Sequence, residues 1–130
     1  MKQINSVLLP GEFFKNNFLE KTRKLMSLDI DTVYLFDHGI NPAGKNLDVY
    51  ELIDGINKLN EIVDDQLSLG VCVLNINARP FHELFEEYIL KFLEIKNFKL
   101  GVGTGDEKFE KRPNFSNDLE KIINEIVNLN

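Results

Sequence analysis

Four residues that could carry chemistry stand at the ends of short apolar segments: His38, Asn75, Gly103 and Thr104. His38 is the candidate catalytic residue, because an imidazole gains and loses its proton near neutral pH and can also hydrogen-bond a bound ring. The amide of Asn75 offers both a donor and an acceptor. Gly103, next to Thr104, would let a ligand approach the backbone closely, because glycine has no side chain in the way. We therefore expect these residues to share one ligand-binding rim.

Other polar residues near this rim favour structural interpretations. Asp37 is typical of a turn former or helix cap, because its side chain bonds local backbone amides. Arg79, directly before Pro80, is interpreted as a solvated loop cation. Cys72 stands between two valines and is expected to be a small buried hydrophobe. His82 is expected at the surface.

A cluster of acidic residues follows the last apolar segment and alternates with basic ones. This pattern is typical of a solvated charged loop and has no fixed metal-ligand spacing, so no metal site is expected. The acidic residues are Asp106, Glu107 and Glu110.

The elements that must position these residues are four apolar segments alternating with four segments of helical period. Length, β-branched content and flanking turn residues predict strands at Ser6–Leu9, Thr32–Phe36, Leu67–Leu74 and Phe98–Val102. Apolar residues at steps of three and four predict helices over 17–28, 49–62 and 81–93. The same spacing predicts a fourth helix that opens at Ser116 or Asn117 and runs to Val127. For the second helix, Asp48 and Glu51 form a predicted capping box. Gly55 within this helix indicates a close packing contact.

Alternating strands and helices with buried-looking strands predict a parallel sheet in an α/β domain spanning residues 1–130. Four βα units amount to half of a (β/α)8 barrel, which takes about 250 residues. A small, open, doubly wound sheet like that of flavodoxin is the alternative. Right-handed crossovers in the order 1-2-3-4 would place every helix on one face and leave the other bare. We therefore expect a homodimer, or another chain that completes the barrel.

Composition excludes several classes of protein. The chain has 130 residues with 15 basic and 21 acidic side chains, a net charge of −6, and lacks the basic patch of a nucleic-acid binder. No apolar stretch approaches the roughly 18 residues of a membrane span, and the first residues do not form a secretory signal. A single cysteine excludes an intrachain disulfide. The expected location is the cytoplasm.

The order of these motifs resembles the bacterial-luciferase-like monooxygenases, which are flavin- or deazaflavin-dependent (β/α)8 oxidoreductases. The matching segments are Thr32-Val-Tyr-Leu-Phe-Asp37-His38, Leu69-Gly-Val-Cys-Val-Leu-Asn75, Arg79-Pro80 and Leu100-Gly-Val-Gly-Thr-Gly105. The resemblance implies FMN or the deazaflavin coenzyme F-420 as cofactor. It further implies that His38 and Asn75 lie near the cofactor ring, with Gly103 and Thr104 lining the pocket.

Two departures from the family pattern bear on function. The family usually has Arg-His-Pro where this chain has Arg79-Pro80 directly, and the resemblance covers only the first half of the family's barrel. In the family, the second half of the barrel supplies many of the residues that bind the cofactor phosphate. The chain is therefore expected to be a truncated luciferase-like oxidoreductase, catalysing monooxygenation or hydride transfer. The alternative is a degenerate, non-catalytic relative acting as a structural, ligand-binding or interaction module.

Overall fold

Four parallel strands form one sheet in the computed structural model, which describes residues 5–110 and 114–129. The strands are β1 (Ser6–Leu8), β2 (Thr32–Leu35), β3 (Ser68–Asn75) and β4 (Lys99–Gly103). Their order is β1-β2-β3-β4, and every neighbouring pair is parallel. The predicted α/β class is confirmed. The doubly wound alternative is wrong, because such a sheet places its first strand inside rather than at an edge.

The helices follow the strands as the periodicity predicts. They are α1 (Phe18–Ser27), α2 (Leu52–Val63), α3 and α4 (Leu119–Val127). Helix α3 is continuous over three parts: Phe81–Glu83, a π-helical stretch at Leu84–Ile89, and Leu90–Leu93. No helix within the described ranges is long and apolar enough to cross a membrane.

Helix α2 begins later than the capping box predicts. Its N-cap is Glu51, whose carboxylate accepts a hydrogen bond from the backbone N–H of Asp54 at 2.7 Å. Asp48 instead lies outside the helix and forms an ion pair with Lys15 at 2.8 Å. Tyr50, just before the N-cap, is tied through its hydroxyl to the ends of β1 and β2, and the backbone of Glu51 is extended.

The core lies between one face of the sheet and the helices. Fully buried side chains from β2, β3 and every helix after α1 form one cluster, which includes Leu35, Val71, Ile56, Leu84 and Ile122. The close contact predicted at Gly55 of α2 is confirmed. An added Cβ at this position would lie 2.6 Å from Leu35 Cδ2 and 2.9 Å from the ring of Phe14.

Right-handed crossovers between parallel strands in the order β1-β2-β3-β4 place the described helices on one face of the sheet, and on the opposite face one expectation is wrong. The register of β3 against β4 shifts between Val71 and Leu74, a stretch that also contains the cis peptide bond Cys72–Val73. At the shift the alternation of buried and exposed side chains breaks, because Val73 as well as Cys72 is exposed and Leu74 is buried. Cys72 follows the buried Val71, points to the opposite face of the sheet and is exposed rather than buried. Val73 is 39% exposed, and Leu8 of β1 is 53% exposed.

Candidate functional site

An open cleft of about 410 Å³ lies at the carboxyl ends of β1 and β2 and reaches Cys72 of β3. Ligands of parallel α/β folds collect at this end of the strands. Most of the wall is apolar, and includes Leu8, Leu9, Pro10, Phe36, Pro42 and Leu47. His38, Glu12, Asn41 and Cys72 are the polar or reactive residues that line it. The volume and the apolar character suit a small planar ligand.

His38 is the predicted site residue that the structure places in this cleft. Its ring lies 5.5 Å from the ring of Phe36 at an interplanar angle of 31°, and 5.5 Å from Phe109 at 64°. Its side chain is 28% exposed. Two aromatic contacts therefore fix the plane of an imidazole whose outer edge still reaches the cleft.

Tyr50 packs against Phe36, which lines the cleft, and nothing in the sequence indicates this role. Its hydroxyl accepts a hydrogen bond from the backbone N–H of Phe36 and donates one to the carbonyl of Leu9, each at 2.9 Å. Its ring also packs 4.4 Å from that of Phe36. Burial raises the pKa of Tyr50 well above its ordinary value, so the hydroxyl remains a donor at neutral pH. Tyr50 thereby ties the ends of β1 and β2 together.

Asp37 and Arg79 form a buried ion pair beneath the rim, which corrects both structural interpretations. The guanidinium of Arg79 donates to the two carboxylate oxygens of Asp37 at 2.7 and 2.8 Å, and both side chains are at most 4% exposed. The same carboxylate accepts from the backbone N–H of Asn75 at 2.9 Å. Arg79 is not a solvated cation, because pairing of β2 with β3 brings its loop against the end of β2.

The surroundings of Arg79 keep it charged. Its guanidinium lies 3.8 Å from the centre of the Tyr88 ring, within reach of a cation–π contact. Burial alone lowers the pKa of Arg79, but hydrogen bonding and attraction to Asp37, with a smaller contribution from Tyr88, raise it above its ordinary value. The pair therefore fixes the strand ends.

Asn75, Gly103 and Thr104 lie along the same rim but do not line the cleft. The side chain of Asn75 is buried, and its Oδ1 accepts from the backbone N–H of Asn77 at 2.9 Å. The carbonyls of Gly103 and Thr104 accept from the loop after β3, from Ile76 N–H at 3.0 Å and Asn77 Nδ2 at 3.1 Å. These three residues join β3 to β4.

Asn117, just before α4, is a second residue whose role the sequence did not reveal. Its side-chain amide donates to the carbonyls of Ile76 and Arg79 at 2.7 and 2.9 Å. Its backbone N–H donates to Asn77 Oδ1 at 2.7 Å. Asparagine before a helix is a common cap signal, and nothing in its spacing indicates contacts with a loop about 40 residues earlier.

The remaining candidates stay at the surface. His82 is 81% exposed as expected, 3.5 Å from Glu86 on the same helix face. The charged loop carries the exposed Asp106, but the side chain of Glu110 in the same loop is only 9% exposed. Within residues 5–110 and 114–129 no group of three or more potential metal ligands is found.

Comparison of this chain with protein-family models, with curated proteins and with solved structures finds no match. The luciferase-like resemblance therefore stays a hypothesis, and any function must be argued from the geometry of the cleft.

Proposed function

We propose that the protein binds a flavin or deazaflavin ring in the cleft beside His38, as a luciferase-like half-barrel oxidoreductase of the cytoplasm. The observation that carries this proposal is the apolar cleft itself, which opens at the carboxyl ends of parallel strands and contains one imidazole. A flat heteroaromatic ring could lie against the wall formed by Leu8 and Phe36. The ring, once bound, supplies the electron or hydride chemistry, while the protein binds and orients it.

The chain's own residues have defined parts in this proposal. Phe36, held by Tyr50, gives the ring a rigid surface. His38 donates or accepts a hydrogen bond at the ring edge and can hold a proton there. Asp37 and Arg79 keep the strand that carries His38 in place. The apolar wall excludes water from the face of the ring.

A ligand-binding or interaction module without catalytic activity is the second candidate, and two observations favour it. The amide of Asn75 is engaged within its own loop. Within the described part of the chain, no lysine or arginine lines the cleft, so no residue there is assigned to a cofactor phosphate. Such a protein would bind the ring weakly or bind another apolar ligand.

A second copy of the chain is proposed as the partner. Parallel sheets are covered on both faces in nearly all known α/β domains, whereas here one face exposes Leu8 and Val73. Two half-barrels related by a two-fold axis along the strands would place β1 of one copy beside β4 of the other. This arrangement closes eight parallel strands and covers both exposed faces at once.

Titration with riboflavin, FMN and the deazaflavin coenzyme, followed by fluorescence quenching, tests the proposed function. His38→Ala should weaken binding by roughly five- to a hundredfold, because a lost hydrogen bond to a buried group costs about 1–3 kcal/mol. His82→Ala is the matched control, since this exposed histidine lies outside the cleft, and it should leave affinity unchanged. Absence of saturable binding to all three compounds would favour the second candidate, and equal affinity of wild type and His38→Ala would remove His38 from the site.

A further inference from the structure

Glu110 is held next to His38 by the segment that precedes it. A 3₁₀ turn at Glu107–Phe109 is tied to the loop after β2, where the backbone N–H of Ile40 donates to the carbonyl of Phe109 at 2.8 Å. The ring of Phe109 packs against the imidazole of His38. The next residue is Glu110, so its carboxylate comes to the inner side of that imidazole.

The two side chains face each other through buried atoms. Oε1 of Glu110 lies 3.9 Å from Nδ1 of His38, and the Glu110 side chain is only 9% exposed. Nδ1 itself is buried and has no hydrogen-bond partner within the described residues, although 28% of the His38 side chain is exposed. The exposed part therefore lies on the remainder of the ring, and His38 lines the cleft.

The chemistry of this pair favours one protonation pattern. A neutral imidazole carries its hydrogen on one of its two nitrogens, and the other nitrogen has a lone pair. A lone pair on Nδ1 would face a carboxylate oxygen and be repelled. A hydrogen on Nδ1 would instead be attracted, and an approach of about 1 Å would form a charge-assisted hydrogen bond. Both the Nδ1–H tautomer and the doubly protonated ring satisfy this condition.

We propose that Glu110 is a positioning residue that keeps a hydrogen on Nδ1 of His38, so that His38 exchanges its proton at Nε2, toward the cleft. The inference rests on the proposed function insofar as it assigns Nε2 to a bound ring. It assigns to the acidic loop a role different from the solvated surface that the sequence predicts.

Nitrogen-15 NMR of the imidazole side chains tests the proposal directly. The chain contains only two histidines, and His38→Asn assigns the signals by leaving those of His82 alone. At roughly pH 8, where an ordinary imidazole is neutral, wild-type Nδ1 of His38 should resonate as a protonated nitrogen and Nε2 as a bare one. Glu110→Leu removes the acceptor and should shift both signals toward the averaged values of a free imidazole. Glu110→Gln keeps an acceptor oxygen and should largely restore the wild-type pattern.

Glu86→Leu, which removes the exposed carboxylate near His82, is the matched control and should leave the His38 signals unchanged. A wild-type spectrum with a bare Nδ1 would overturn the proposal even if no Glu110 variant folds. In riboflavin titrations, Glu110→Leu should lower affinity about five- to tenfold while Glu110→Gln loses less. If riboflavin does not bind the wild-type protein at all, the proposed function fails while the tautomer result still stands.

Discussion

Asp37 and Arg79 show how one side-chain pair can organise the rim that carries His38. The carboxylate of Asp37 bonds both Arg79 and the backbone of Asn75, so one buried group links the ends of two strands to the start of a helix. Removing the two charges from water costs free energy, which their mutual attraction and hydrogen bonds offset. Loss of either partner is strongly destabilising, because it leaves the other charge buried and unpaired. Because Arg79 is always charged, acidification affects this pair only through the carboxylate.

Breaking this pair should strongly destabilise the fold. Arg79→Met leaves the Asp37 carboxylate buried without its cation, and the free energy of unfolding in urea should fall by about 3–5 kcal/mol. Lys15→Met is the control, because it breaks an ion pair whose side chains are 61% and 43% exposed, and it should cost at most about 1 kcal/mol. A loss for Arg79→Met no larger than that of the control would mean that the pair is not buried in solution. The double variant Asp37→Leu with Arg79→Met should recover part of the loss.

Among the elements, α2 contains a residue, Gly55, that suits the packing of the helix on the sheet and opposes helix propensity. Gly55 costs this helix about 1 kcal/mol relative to alanine. It persists because Leu35 of β2 and Phe14 occupy the space where a Cβ would stand. The sheet and helix are thereby brought close together at Leu35, the residue before Phe36.

Gly55→Ala should therefore destabilise the protein despite the gain in helix propensity. Overpacking a buried contact costs about 1–3 kcal/mol, which exceeds the gain of about 1 kcal/mol, so we expect a net loss of up to about 2 kcal/mol. Asn57→Ala on the exposed side of the same helix isolates the propensity effect and should be neutral or slightly stabilising. Both values come from urea unfolding followed by circular dichroism. A stabilised Gly55→Ala would contradict the packing described for α2.

The local sequence pattern predicted most of the strands and helices but few of the hydrogen bonds and ion pairs around the site. Apolar periodicity located the four strands and the helices α1 to α4 of the described residues, because one face of each packs on the core. Periodicity cannot mark the register shift between Val71 and Leu74 of β3, because the shift depends on pairing with β4. Asp37 and Arg79 are 42 residues apart, and no local rule connects them. His38 could be proposed from the sequence because its residue type and its place after a strand are both local signals.

At the scale of the whole molecule, the sheet has one face over which no described helix is expected, because right-handed crossovers in the order β1-β2-β3-β4 place the helices on the other. This face is four strands wide, at about 4.8 Å per strand, and about five residues long, at about 3.3 Å per residue. Its area is therefore roughly 300 Å². Two such faces in flat contact would bury less than the ~1,200 Å² of a small stable interface. Closure of β1 against the partner's β4 at both edges adds backbone hydrogen bonds and further area, so the proposed closed barrel is favoured over a flat stack.

The 130-residue protein should therefore be a dimer at low micromolar concentration in sedimentation equilibrium, with a mass twice the 15.0 kDa of one chain. Leu8→Lys places a charge on the uncovered face and should yield monomers, whereas Leu19→Lys, at a similarly exposed leucine of α1, should leave the dimer intact.

Cys72, the single cysteine, lies on this face and serves as a reporter. Its reaction with a maleimide should be slow in the dimer and fast in Leu8→Lys. A wild-type monomer with freely reactive Cys72 would exclude the closed barrel, and a dimer that Leu8→Lys leaves intact would place the interface on another surface.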